Sequence, residues 1–446
     1  MSGQFPRGFL WGAASSAYQV EGAACADGKV PSIWDTFAHT DGKIFESGSG
    51  DVACDGYHRF REDVLLMQQL GIRAYRFSIN WPRVITDLSG TVNETGLRYY
   101  EQLVDCCLEA GITPYITLFH WELPQYLEDQ GGWLRRETAE AFCRFAAVIA
   151  ARLKGKVRHY FTLNEPQCFV GLGLSSGVHA PGKRLPAALC YQAAHHLLLA
   201  HGLAVQALRQ IDPDAEIGIA STGSVCYPAA PGDDNDAARE MFRCETGNFF
   251  SHALFLDPIV LGQYPACALP LLPAGYEADL PIISQPIDCL GANIYNGHEI
   301  SCGSDTVRCD GFPRTALKWP VTPDCLGYGT RYLYDRYRLP IYITENGLSC
   351  NDRIYSDGKV HDLDRIEFLY EYLTSLQGAI ESGADIRGYF HWALTDNFEW
   401  NNGYGERFGL IYIDYRNQAR IPKDSARWYQ RLIAHHCIPA PSYPDY

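Results

Sequence analysis

The 446-residue sequence has no run of about 18 uninterrupted apolar residues, so it holds no membrane-crossing helix. It also lacks an excess of positive charge, with 37 Lys and Arg against 52 Asp and Glu, a formal net charge of −15. That balance disfavours phosphate backbones and anionic lipid, so neither nucleic acid nor a membrane is expected as a partner. The first residues, Met-Ser-Gly-Gln-Phe-Pro, form neither a basic n-region nor an apolar h-region, and a cytoplasmic protein is expected. No Cys-x-x-Cys occurs among the 16 cysteines, and no Cys/His spacing suits zinc. Cys106 and Cys107 adjoin within a helix-like run and most others stand singly in apolar segments, which reads as small, reduced core residues rather than disulfides. Low-complexity and short-period repeats are missing too. With 47% hydrophobic and 20% charged residues, disorder is excluded and a large core is implied. Aromatics, at 13%, are dense enough to fill that core and to line a site for sugar-like faces.

What the chain does have is alternation. Short apolar runs over 8–13, 74–79, 113–118, 160–164, 217–220, 289–293, 341–344 and 386–392 read as strands. Helix-like periodicity falls between them, over 59–70, 95–110, 137–153, 186–211, 236–250, 327–337 and 363–382. Eight such units predict a single (β/α)8 barrel spanning 1–446. A doubly wound sheet is the competitor, but the phosphate-binding glycine fingerprint it favours is missing after the first strand. Long insertions over 14–58, 164–185, 221–235, 293–326 and 393–425 each follow a strand. They therefore belong to the C-terminal mouth, where barrel active sites form.

Two strand ends carry a carboxylate: Thr162-Leu163-Asn164-Glu165-Pro166 and Ile343-Thr344-Glu345-Asn346-Gly347. One such Glu is unremarkable. Two, each flanked by Asn and facing across a barrel mouth, are the equipment for cleaving a glycosidic bond.

With these motifs in place, the whole chain resembles the family 1 glycoside hydrolases, the β-glucosidase family. The resemblance rests on Phe9-Leu10-Trp11-Gly12-Ala13-Ala14-Ser15-Ser16-Ala17-Tyr18-Gln19-Val20-Glu21-Gly22, on Tyr75-Arg76-Phe77-Ser78-Ile79-Asn80-Trp81-Pro82-Arg83, on Leu118-Phe119-His120-Trp121, and on the two Glu motifs. It implies a retaining double displacement with Glu165 as acid/base and Glu345 as nucleophile. Arg76 and Tyr295 are implied as the groups that keep Glu345 ionised. Gln19, His120, Asn164, Asn293, Tyr295, Trp392, Glu399, Trp400 and Phe408 are implied as the substrate-binding set. Within it Asn164 would bond the sugar 2-hydroxyl, Trp392 would floor the ring and Glu399 would take the 4- and 6-hydroxyls. No cofactor and no metal is implied. The substrates would be cello-oligosaccharides and aryl or alkyl β-glucosides, with side activity on β-galactosides or β-fucosides and some transglycosylation.

Relatives that cleave 6-phosphoglycosides replace the Glu at 399 and carry Lys and Tyr where this chain has Glu406 and Phe408, so an unphosphorylated sugar is expected. Many relatives also have Trp after Asn-Glu-Pro. Gln167 stands there instead, and loss of a stacking face for the leaving group, worth roughly 1 kcal/mol, is expected. A binding protein with a dead site is the rival from another class, and retention of both Glu residues argues against it. Two matches in the loop after the fourth strand are decoys. Gly173-Leu174-Ser175-Ser176-Gly177 lacks the strand-to-helix turn of a serine-hydrolase elbow, and Gly177-Val178-His179-Ala180-Pro181-Gly182-Lys183 lacks the Ser or Thr of a P-loop. The triplet His195, His196 and His201 lacks i, i+4 ligand spacing and reads as helix packing.

Overall fold

The computed structural model describes residues 4–228, 247–301, 304–305 and 311–441. Eight parallel strands close into a barrel: β1 (Leu10–Ala14), β2 (Ala74–Ser78), β3 (Thr113–Phe119), β4 (His159–Asn164), β5 (Glu216–Thr222), β6 (Cys289–Asn293), β7 (Ile341–Asn346) and β8 (Ile386–Trp392). Each pairs with its sequence neighbours, and β1 pairs with β8 to close the ring. The strands are buried along nearly their whole length, which is why they read as continuous apolar runs rather than as alternating ones.

Two sets of apolar side chains hold the fold. Inward-pointing residues, among them Tyr115, Phe161, Tyr342 and Phe390, plug the barrel. A larger cluster lies between the strands and the surrounding helices. The helix Glu94–Glu109 shows the local logic: it buries Leu97, Tyr100, Leu103, Val104 and Cys107, spaced to form one stripe against β3. The helix Ala187–Ile211 is buried on more than one face, and Gly202 lets it approach Ile282, whose carbonyl oxygen would lie 2.0 Å from any Cβ there.

The expected strands and helices match to within a few residues, with two exceptions. Of the helix expected over 236–250, residues 236–246 lie outside the described residues, and 247–250 carry no helix. The expected loop 393–425 contains an antiparallel pair, Ile411–Asp414 with Ala419–Pro422, and the helix Asp424–His435 begins at its end. Ten of the described cysteines, buried Cys54 and Cys107 among them, are free thiols. The three histidines pack the helix as expected. His201 bonds the Thr162 hydroxyl, His196 bonds the Trp133 carbonyl, and His195 lies between Tyr264 and Asp279. Among the described residues no helix is long and apolar enough to cross a membrane, and no cluster of His, Cys, Asp and Glu could hold a metal ion.

Candidate active site

Both glutamates stand where the strands end at the mouth. Glu165 directly follows β4 and Glu345 is the penultimate residue of β7. Each strand breaks register just before its glutamate: β4 against β5 between Phe161 and Asn164, and β7 against β6 between Ile343 and Glu345. Such irregularities re-aim the side chains beside them. Glu165 takes a left-handed φ of 44° and leads into the single helical turn Pro166–Cys168. Gly347 holds the other motif down, because a Cβ there would meet the Trp392 carbonyl oxygen at 1.9 Å.

Glu345 is gripped from both sides. Arg76, fully buried on β2, donates to its Oε1 at 2.7 Å, and the Tyr295 hydroxyl donates to its Oε2 at 2.8 Å. Asn293, the last residue of β6, donates its amide to Glu165 Oε1 at 2.8 Å and to Asn164 Oδ1 at 3.1 Å. Thr344 fixes that amide by donating to Asn293 Oδ1 at 2.6 Å.

These partners split the two carboxyls. Burial pushes Glu165 up to about 8 and the neighbouring Glu345 charge adds to the rise, while Asn293 and the Cys168 thiol hold it back. Burial raises Glu345 as well, but Arg76, Tyr295 and Asn293 all counter it. Glu165 therefore keeps its proton to higher pH than Glu345 does. Burial and the carboxylates hold the Tyr295 phenol well above its ordinary range, so it stays a donor. Burial and Arg76 push His120 well below its ordinary range, so it stays neutral.

A cavity of about 400 Å³ opens over the pair. Of the expected residues, His120, Glu165, Asn293, Tyr295, Glu345, Trp392, Glu399, Trp400 and Phe408 line it. Arg76, Gln19 and Asn164 stand behind this wall. The Gln19 amide donates to Glu399 Oε2 at 3.2 Å and to the Phe398 carbonyl at 2.9 Å. Asn164 accepts from Arg76 at 2.6 Å and donates to His120 Nε2 at 3.1 Å. Burial, then Glu345 and Glu406, push Glu399 up to about 8. Glu406 does not line the cavity and acts on Glu399 through its charge. Buried charges anchor the loop that carries Glu399: Asp396 holds Lys423 at 2.6 Å and Arg407 at 2.6 Å, and Lys423 reaches Asp352.

Gln167 departs from expectation. It is fully buried, donates to Ser221 Oγ at 2.7 Å and does not line the cavity. The reason is the helical turn: residues 165 and 168 share a face, and 167 points elsewhere. Cys168, Leu172 and Phe250 do line the cavity.

Sequence reasoning also missed Trp121, His179 and Trp319, which line the cavity too. Trp121 lay inside a quoted motif, and its indole N–H donates to the Asn164 carbonyl at 2.9 Å. His179 lay inside the P-loop decoy. That glycine- and proline-rich loop forms part of the rim, and His179 meets Asn401 of the loop after β8 at 2.9 Å. Trp319, packed against Tyr295 and Phe408, had no sequence signal.

Comparison with known proteins agrees with this geometry. Residues 1–438 match the model of glycosyl hydrolase family 1. The chain is 40% identical to beta-glucosidase A of Thermotoga maritima, over 96% of this chain and 98% of that one. It is 42% identical to beta-glucosidase A of Acetivibrio thermocellus, over 96% of this chain and 98% of the relative. It is 41% identical to a bifunctional beta-D-glucosidase/beta-D-fucosidase of Bifidobacterium breve, over 97% and 98%. The solved T. maritima beta-glucosidase in complex with deoxynojirimycin superimposes with a TM-score of 0.91 over 98% of this chain and all of that one. A closed eight-strand barrel, two glutamates at its mouth and a family match across nearly the full length lead to one statement: this chain belongs to glycosyl hydrolase family 1.

Proposed function

We propose that the chain is a retaining β-glucosidase that hydrolyses unphosphorylated β-D-glucosides, with 1–446 acting as one catalytic domain. The observation that carries the reading is the division of labour between two buried carboxyls, one held by a cation and a phenol and the other held protonated above neutrality. Glu345 attacks the anomeric carbon while Glu165 gives its proton to the departing oxygen. That bond breaks and a glycosyl ester forms on Glu345. Water then adds to the anomeric carbon, Glu165 takes its proton, and Glu345 is released as a carboxylate. Retention requires the two carboxyls about 5–5.5 Å apart, against the roughly 6.5–9.5 Å of inverting enzymes.

In this reading Trp392 floors the ring, while Trp400 and His120 complete the glucose site. Glu399 accepts hydroxyls at the far end, oriented by Gln19. Asn164 fixes His120 and Arg76 through its own amide and keeps a second N–H for the 2-hydroxyl. A phenyl ring at 408 and a carboxylate at 399 offer a phosphate no donor. Activity on β-fucosides accords with the relative named for both activities. Free thiols such as Cys54 and Cys107 suit a cytoplasmic enzyme.

The test is a parallel assay of p-nitrophenyl β-glucoside, its 6-phosphate and cellobiose. Turnover of the first and third with negligible turnover of the second is expected. Comparable rates on the phosphorylated and plain glucosides would overturn the role given to Glu399 and Phe408.

A further inference from the structure

Glu165 has a second neighbour besides Asn293. Cys168 lies three residues on, across the turn Pro166–Cys168, where its backbone N–H donates to the Glu165 carbonyl at 3.0 Å. That spacing puts both side chains on one face. The thiol lines the same cavity as the Glu165 carboxyl. It is the one cysteine to do so among the described residues. We propose that Cys168 is a positioning residue for the acid/base: its S–H donates to Glu165 and stabilises the ionised form, so that the proton leaves more readily when the glycosidic oxygen needs it. The inference rests on the β-glucosidase reading and deepens it.

The direction follows from donor chemistry. Sulfur accepts hydrogen bonds poorly, so a protonated Glu165 gains little from the contact. An ionised Glu165 accepts the S–H in a charge-assisted bond. The thiol stays a thiol, because burial and the adjacent carboxylates hold it well above its ordinary range. Other groups act on Glu165 from every side: Glu345 of β7 and Glu399 of the loop after β8 repel its charge, and Arg76 of β2 attracts it. Asn293 of β6 bonds it, and Tyr295 lies in the field of both carboxylates. All of these stay in place when Cys168 is changed.

The experiment compares the pH dependence of kcat/KM for cellobiose and for 2,4-dinitrophenyl β-glucoside in the wild type, Cys168→Ala and Cys168→Ser. With cellobiose, whose leaving group needs a proton, Cys168→Ala is expected to move the basic limb to higher pH. On that limb the variant should retain roughly two- to fivefold more of its own maximum than the wild type does. Cys168→Ser, which restores a donor, should move it back. With the dinitrophenyl glucoside, which needs no proton, the limbs should coincide. An alanine limb that overlays the wild type with cellobiose, an equal shift with both substrates, or a serine variant that behaves like alanine would each overturn the assignment. Wild-type turnover of both substrates separates failure of this inference from failure of the underlying reading.

Discussion

Tyr295→Phe tests the electrostatic core of the site with the removal of one oxygen atom. The phenol donates to Glu345 Oε2 at 2.8 Å, and its ring packs against Trp319 and Phe408. Phenylalanine keeps the ring and its packing. Arg76 keeps its hold on Oε1, so Glu345 remains ionisable. What is lost is one hydrogen bond to a charged group, worth about 1.5–3 kcal/mol. At about 1.4 kcal/mol per factor of ten, the ionised form of Glu345 becomes on the order of 10- to 100-fold less favoured. The sign is fixed by which form the phenol supports: it bonds the carboxylate, so its removal raises the pKa of Glu345. Glu345 must be ionised to attack, so the acid limb of kcat/KM moves to higher pH. At a pH on that limb the loss approaches the full factor, and well above it the loss shrinks. The assay is the pH profile of kcat/KM on p-nitrophenyl β-glucoside for both proteins, with Glu345→Gly as the inactive reference. A uniform loss at every pH, with the acid limb unmoved, would refute the reasoning, for then the phenol does something other than hold the nucleophile's charge.

Three further outcomes are expected. Glu165→Ala should lose roughly 10²–10⁴-fold on cellobiose and far less on the dinitrophenyl glucoside, and equal losses on both would contradict an acid role. In the wild type Glu165 is pushed up to about 8, so kcat/KM should fall as pH rises through that region; activity still climbing at pH 9 would contradict the assignment. Arg365→Met removes a fully buried cation that bonds Asp352, Asp362 and the Arg407 carbonyl. It should cost about 3–5 kcal/mol by leaving buried carboxylates uncompensated, which thermal unfolding would register as a Tm lower by about 3–5 °C at this chain length.

How much of this was legible in the sequence depended on whether a residue is placed by its own strand or by a distant one. The strands and their glutamates were legible because burial on both faces writes a continuous apolar run and the carboxylate interrupts it at the end: β6 and β8 match the expected 289–293 and 386–392 residue for residue. The helix Asp424–His435 was not, because its buried Trp428, Tyr429 and Leu432 sit inside a segment whose many polar residues pair with charges over 60 positions away, as Lys423 does with Asp352. The same distinction divides the site. His120, Glu165 and Glu345 could be named from their own motifs, but no local pattern shows that Gln19 meets Glu399, 380 positions on. Nor does one show that Gln167 turns to Ser221. The misplacement of Gln167 shows why. A residue's neighbours in sequence say which motif it belongs to, but one turn of helix decides which face it presents. That turn, begun by a left-handed Glu165, sends Gln167 to the wall and brings Cys168 to the acid. Leaving-group preference should therefore follow residues that line the cavity, such as Cys168, Leu172 and Phe250, and a Gln167→Trp exchange would have to disturb the Ser221 contact before it could offer a stacking face.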